Sequence, residues 1–422
     1  MRLLFLSHRL PYPPYKGEKI RALNELKFLA RRHEVFVACP IDDRDDLVHA
    51  ADFRRHACGL VYTRVRPGLR KCLAATALLR SRSITVDCFY SKRLQRRIDE
   101  LITGQGIEAV FCSSSPMAEY VFRSRHAARL ASGTRVMDLI DVDSFKWHQY
   151  ARESSLWTAW IYRHEARQLA NFEQRIAREF DHLLVVTEQE KRCFPGAVPH
   201  GRLLAMPNGV DLEYFSPRYV SRVMPRGPAL VFTGVMDYRP NVDGIRWFVE
   251  RVLPRIQSVI ADVQLYIVGN RPSAEVRRLG GRSGVTVTGF VEDVRQYLAV
   301  ASLCVVPLRI ARGIQNKILE AMAMGRAVVT TQEAFEGIAA QPGRDLIVTT
   351  GEAEFAAAVV ELLRDPQRAA QIGRYARVCA EQRYSWTANL ELLNRLFPGE
   401  LRSPSTDFPT QSSGACAAVP RI

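Results

Sequence analysis

Acidic residues are scarce in this chain. Its 422 residues hold 59 Lys and Arg against 44 Asp and Glu, a formal net charge of +15. The imbalance is local: residues 51–100 carry twelve Lys/Arg against four Asp/Glu, whereas residues 151–200 carry seven of each. Such an excess favours an anionic partner. Nucleic acid is not the expected one, because residues 51–100 show no nucleic-acid motif and no interleaving of aromatic with basic residues. An anionic membrane surface remains, beside the plainer reading of a solvated arginine-rich face. Long apolar runs are also missing. None approaches the roughly 18 residues a membrane-spanning helix requires. The opening MRLLFLSHRLPYPPYKG lacks a signal peptide's apolar region and small-residue cleavage site, so Leu3–Ser7 is expected as a buried strand. No C-x-x-C occurs among the nine scattered cysteines, several of which lie in apolar strands. That excludes a disulfide framework and a zinc site, and implies a reducing, cytosolic location. No metal is expected elsewhere either, since the Asp-x-Asp at Asp141 and Asp143 lacks the setting a Mg²⁺ site needs.

What is present is a chain too long for one core to serve comfortably. Its apolar runs alternate between strand-like and helix-like periods from end to end. The sequence gives strands at 3–7, 34–39, 60–65, 110–112, 135–140 and 183–186, and then restarts at 230–234, 263–269, 285–289, 303–306, 327–331 and 345–349. This is the pattern of two doubly wound α/β domains, in which ligands sit beyond the carboxyl ends of the strands. Residues 69–80, LRKCLAATALLR, form either a core-facing helix or an interfacial one resting on anionic lipid. Residues 402–422 are rich in Ser, Pro, Thr and Gly and are expected to be disordered.

The richest stretch is Cys304–Thr331. It reads as strand, glycine turn at Gly313, one-sided helix ending at Gly325, and strand. A helix start beside a glycine presents free amides and the positive end of the helix dipole, which together receive phosphate. Lys317 and Glu320 are three residues apart and project from nearly the same face. An ammonium for a diphosphate and a carboxylate for two adjacent hydroxyls suit a nucleoside diphosphate. The plainer reading is a surface ion pair.

The segment PLRIARGIQNKILEAMAMGRAVVTT resembles the donor-binding segment of the retaining family-4 glycosyltransferases of the GT-B fold. Their signature is two glutamates separated by seven residues. Glu320 holds the second position, but the first falls at Arg312, a departure that suits a β-phosphate or an acidic donor sugar. PNGVDLEYFSP resembles the family's hinge segment. PYPPYKGEKIR, with Lys16 and Gly17, and TGVMDYRPN, with Gly234, Arg239 and Asn241, resemble its donor loops. Gly289–Phe290–Val291 resembles its base-side segment. DLIDVDSFKWHQYA is similar to the sugar transferases of exosortase (PEP-CTERM) exopolysaccharide systems.

The resemblance implies a GT-B fold: two Rossmann-like doubly wound domains facing across a cleft. The first is residues 1–207 and the second, donor-binding, is 208–383, with a terminal helix over 384–397 packing back on the first. It implies transfer of a sugar from a nucleotide-diphosphate-sugar donor to a hydroxyl, with a lipid-linked saccharide as acceptor and no metal cofactor. The site residues it implies are Lys16, Gly17, Gly234, Arg239, Asn241, Arg312, Gly313, Asn316, Lys317 and Glu320 for the donor. Lys317, Asp141 and Asp143 are the catalytic candidates. The two aspartates serve the acceptor or are simply a turn and a helix cap. A nucleotide-sugar epimerase shares this fold, but its catalytic carboxylates and histidines do not align here.

Overall fold

The computed structural model describes residues 1–65, 82–152, 154–311 and 313–401. The expected helix at 69–80, the expected disordered tail and Arg312 lie outside the described residues. The chain divides into two units: Met1–Pro207 together with the segment beginning at Leu390, and Asn208–Asn389.

The first unit is built on seven parallel strands. They are β1 (Arg2–Ser7), β2 (Glu34–Ile41), β3 (Gly59–Arg64), β4 (Ala109–Ser113), β5 (Arg135–Ile140), β6 (His182–Val185) and β7 (Leu203–Ala205). Their order is β3-β2-β1-β4-β5-β6-β7. Leu3 to Leu6 of β1 are wholly buried because β1 is central and covered on both faces. The order reverses between β1 and β4, which makes the loops after these strands the natural ligand side. Sequence reading ended this sheet at residues 183–186. The seventh strand escaped it because β7 has three half-buried residues and no period to read.

The helix expected over 20–32 runs Gly17–Ala30. Its polar first turn hides the start, and Glu18 there complements the helix dipole.

The second unit has six parallel strands. They are β8 (Ala229–Thr233), β9 (Gln264–Val268), β10 (Val285–Gly289), β11 (Leu303–Val306), β12 (Val328–Thr331) and β13 (Ile347–Thr349). Their order is β10-β9-β8-β11-β12-β13, so the switch falls between β8 and β11. The helix expected at 243–256 begins at Arg239, with Pro240 in its first turn. It widens at Phe248–Val252 before Leu253–Gln257. Pro254 has no N–H for the carbonyl four residues back, and a widened turn accommodates that loss.

The terminal helix is Trp386–Leu396, and the chain rejoins the first unit at Leu390 rather than at 384. There Phe397 packs on Phe111, and its carbonyl lies 3.1 Å from His33 Nε2.

Candidate functional site

In the second unit, β8 and β11 deliver their loops side by side. The loop after β8 opens with Gly234, whose carbonyl is so close to Gly269 that a Cβ on Gly269 would meet it at 1.6 Å. A Cβ on Gly234 itself would lie 2.7 Å from Asn241 Nδ2 and 3.0 Å from Lys317 Nζ. Only a glycine leaves room there.

The helix after β11 is Asn316–Ala323. It starts three residues beyond Gly313, which adopts a left-handed φ of 61°. The amides nearest the helix start are therefore those of Asn316 and Lys317, and no described group accepts from either. Ile318, Leu319, Met322 and Ala323 are fully buried and fix the helix against the sheet. At its other end Arg377 donates to the Ala323 carbonyl at 2.6 Å, satisfying one orphan acceptor. A Cβ on Gly373 would meet the Gly325 carbonyl at 2.1 Å, so the helix Pro366–Arg383 approaches as closely as backbone allows.

Lys317 projects from the first turn toward β8. Its Nζ donates to Asn241 Oδ1 at 2.5 Å and lies 4.4 Å from the Phe232 ring centroid. Asn241 is 5% exposed, and its Nδ2 donates to the Val235 carbonyl at 2.9 Å. That bond fixes the amide orientation, so Asn241 positions the ammonium. Burial pushes the Lys317 ammonium down to about 7, with Glu320 opposing the shift. Burial likewise raises the Glu320 carboxyl to about 7, with Lys317 opposing. Both side chains nevertheless keep part of their surface in solvent. Glu320 receives no hydrogen bond from any described residue. The pair is largely desolvated and is not closed off from solvent.

Of the other donor candidates, Arg239 is exposed at the first position of its helix. Asn316 accepts from Asn208 Nδ2 at 3.4 Å. Phe290 is 59% exposed after Gly289. Lys16 and Gly17 belong to the first unit, as the cap and first residue of the helix Gly17–Ala30. Lys19, their neighbour, is withdrawn. It is 1% exposed and bonds both Asp46 oxygens at 2.7 Å.

In the first unit, β4 and β5 end in strained turns. Ser114 has φ 82° and Ile140 has φ 69°. For a β-branched residue the left-handed region costs on the order of 1–3 kcal/mol, and such residues gather at functional sites. The Ile140 turn shifts the β5–β6 register and presents Asp141 and Asp143 beyond the sheet. Asp143 is the first residue of the helix Asp143–Arg152, and its Oδ2 accepts from Ser115 Oγ at 2.8 Å. Burial raises its carboxyl above the usual range, partly offset by Lys146. The structure brings these aspartates together with Ser115.

Beneath them lies a cluster the sequence did not disclose. Arg21, wholly buried, forks onto Asp138 at 2.7 and 2.8 Å and donates to the Met206 carbonyl at 2.9 Å. Glu25 completes it at 3.0 Å from Arg21 Nε. Burial and the neighbouring Asp138 push Glu25 well above the carboxylate range, with Arg21 opposing the shift. Glu173, also wholly buried, accepts from Ser144 N at 3.0 Å and from its hydroxyl, yet burial still raises it to about 8. Thr187 caps the helix Glu188–Cys193, its Oγ1 accepting from the Glu190 amide at 3.1 Å. The Glu190 carboxylate, however, reaches the Val142 amide at 2.8 Å. Among the described residues no group of three His, Cys, Asp or Glu side chains is placed to hold a metal ion.

Two parallel α/β units with these switch points define the GT-B class of fold, and solved structures agree. Sucrose-phosphate synthase of Thermosynechococcus elongatus superposes with a TM-score of 0.68 at 18% identity, over 94% of this chain and 98% of that one. Anabaena HepE, solved with UDP and glucose, gives 0.63 at 15% identity over 94% and 98%. Residues 227–365, which include Gly234, Asn241, Lys317 and Glu320, match the family model described as "Glycosyl transferases group 1". The GDP-mannose-dependent monoacylated alpha-(1-6)-phosphatidylinositol monomannoside mannosyltransferase of Corynebacterium glutamicum is 27% identical over 250 residues. That alignment covers 54% of this chain and spans 65% of that relative's length.

Proposed function

We propose that this chain is a glycosyltransferase. It takes a sugar from a nucleoside-diphosphate donor and transfers it, with retention, to a hydroxyl of a lipid-linked saccharide. The setting is exopolysaccharide synthesis at the inner face of an anionic membrane. One observation carries the reading: Lys317, held by Asn241 and Phe232, stands at an amide-bearing helix start one turn from Glu320, which receives no hydrogen bond from any described residue. The leaving diphosphate accumulates negative charge as the glycosidic bond breaks. A preplaced ammonium, with two amides from which no described group accepts, stabilises that charge where it forms, and Glu320 accepts from the ribose hydroxyls. The reaction so assigned needs no metal. Asp141 and Asp143 recognise or activate the acceptor hydroxyl, and the raised Asp143 carboxyl suits proton acceptance. The named acceptor of the Corynebacterium relative is a lipid mannoside, which supports the lipid-linked class.

Mass spectrometry of nucleotides that co-purify with the protein, followed by turnover of a donor panel, tests this reading. A nucleoside diphosphate or its sugar is expected, with turnover lost in Lys317→Ala. Full turnover in that variant would sink the assignment. Arg312→Glu assayed with the same panel decides whether the arginine selects an acidic sugar; an unchanged donor preference removes that role.

A further inference from the structure

The helix Leu156–Glu179 is about 36 Å long. Its outward stripe begins with Trp157 and Trp160, 90% and 61% exposed. It continues through the exposed Arg163, Arg167, Asn171, Arg175 and Arg178, at the spacing of one helical face. Two large aromatics left in water are unusual, since burying such a side chain is favourable by a few kcal/mol. Behind them Trp147 packs on Tyr150 and Tyr162 at 5.9 and 5.2 Å, so three of the chain's five tryptophans occupy this one helical pair.

Charge is sorted along the same helix. Residues 151–200 are balanced in sequence, seven of each sign. Folding turns the acids inward. Glu165 is wholly buried and accepts from Ser83 Oγ and the Ile84 amide, both at 2.7 Å, and Glu173 is buried against Ser144. They are the only acids between Trp157 and Arg178. Of the four arginines, Arg175 pairs with Glu179 at 2.9 Å. Arg163, Arg167 and Arg178 have no partner among the described residues. The outward face is therefore cationic although the segment is neutral.

We infer that this face docks the first unit on an anionic phospholipid surface. Trp157 and Trp160 enter the headgroup layer, and Arg163, Arg167 and Arg178 meet lipid phosphates. Indole rings favour that depth because they are apolar with one polar edge. Guanidinium groups match phosphate oxygens in pairs. The helix Asp143–Arg152, which begins with one of the candidate aspartates, is tied to the same long helix through Ser144 and Glu173. That the aspartates serve an acceptor there rests on the glycosyltransferase reading; the docking does not.

Co-sedimentation of the full chain with phosphatidylcholine vesicles, with and without phosphatidylglycerol, tests it without any sugar donor. Binding is expected only with phosphatidylglycerol, weakening as salt rises. Arg163→Gln with Arg167→Gln should lower affinity by about fivefold per arginine. Trp157→Ala with Trp160→Ala should lower it by about tenfold or more, with the melting temperature unchanged. In the unsubstituted chain tryptophan emission should shift to the blue on anionic vesicles. Unchanged binding in both double variants would overturn the proposal. So would binding abolished by Arg70→Glu with Lys71→Glu but kept without the tryptophans. A dimer that the tryptophan variant dissociates would identify a second copy as the occupant, and would also overturn it.

Discussion

In the first unit, the buried cations beneath the carboxyl edge of the sheet already have carboxylate partners. Lys19 grips Asp46 and Arg21 grips Asp138, while burial raises Glu25 and Glu173 above the usual carboxylate range. In the second unit the corresponding edge leaves its groups available. Among the described residues Lys317 has one neutral acceptor and a ring face, and Glu320 has no hydrogen-bond partner. Fully paired buried charges hold a shape, and breaking one pair leaves an uncompensated charge. Groups that are desolvated but incompletely paired bind a ligand of the right charge strongly, because part of the desolvation has already been met by folding. Among the described residues, the second unit therefore holds the incompletely paired groups and the first unit the paired, rigid support.

The largest expected effect breaks the support. Arg21→Ala strands Asp138 and should destabilise the first unit by about 3–5 kcal/mol, read as a lower urea midpoint; a midpoint within error of the unsubstituted protein would contradict the cluster's role. Next, Lys317→Ala should cut turnover by about 10²–10³ while leaving the circular dichroism spectrum unchanged. Above pH 7 nucleoside diphosphate binding should take up protons, because the ligand restores a charge that burial has pushed down to about 7. Calorimetry in buffers of different ionisation enthalpy reads this directly. Gly234→Ala places a carbon against Asn241 and Lys317 and should cost about 10² in turnover through misplacement of the ammonium. Ligand affinity equal to that of the unsubstituted protein would show that the contact yields freely.

The last expected effect is a pH slope. Glu173 is raised to about 8, so the folded chain retains a proton that the unfolded chain releases near its ordinary carboxylate value. Its contribution is complete in acid and is lost as pH rises through 8. Melting temperature should therefore fall between pH 5 and pH 8, and Glu173→Gln should flatten that fall. An identical slope in the variant would place the titration elsewhere.

Much of the architecture was legible because buried parallel strands are short, apolar and bounded by helices of a different period. Val285–Gly289 and Leu303–Val306 were read to the residue. Element starts were less so. The helix Asn316–Ala323 begins beyond Gly313, and the helix at Arg239 precedes its apolar face by a turn, because polar first turns carry no hydrophobic period. Lys317 and Glu320 could be singled out, being one turn apart. What the sequence does not show is that Asn241, expected as a donor contact, holds Lys317 from 76 residues away.

The order of residues, taken alone, settled the two α/β repeats, the helix start that follows Gly313 and the glycine that opens the loop after β8. All of these depend on neighbours within a few positions. Only the folded chain decided which charges are neutralised: Arg21 finds Asp138 across 117 residues, and Glu165 and Glu173 turn inward while their arginine neighbours turn out. Burial and pairing are properties of the assembled interior, and solvation free energy is set there, not along the chain.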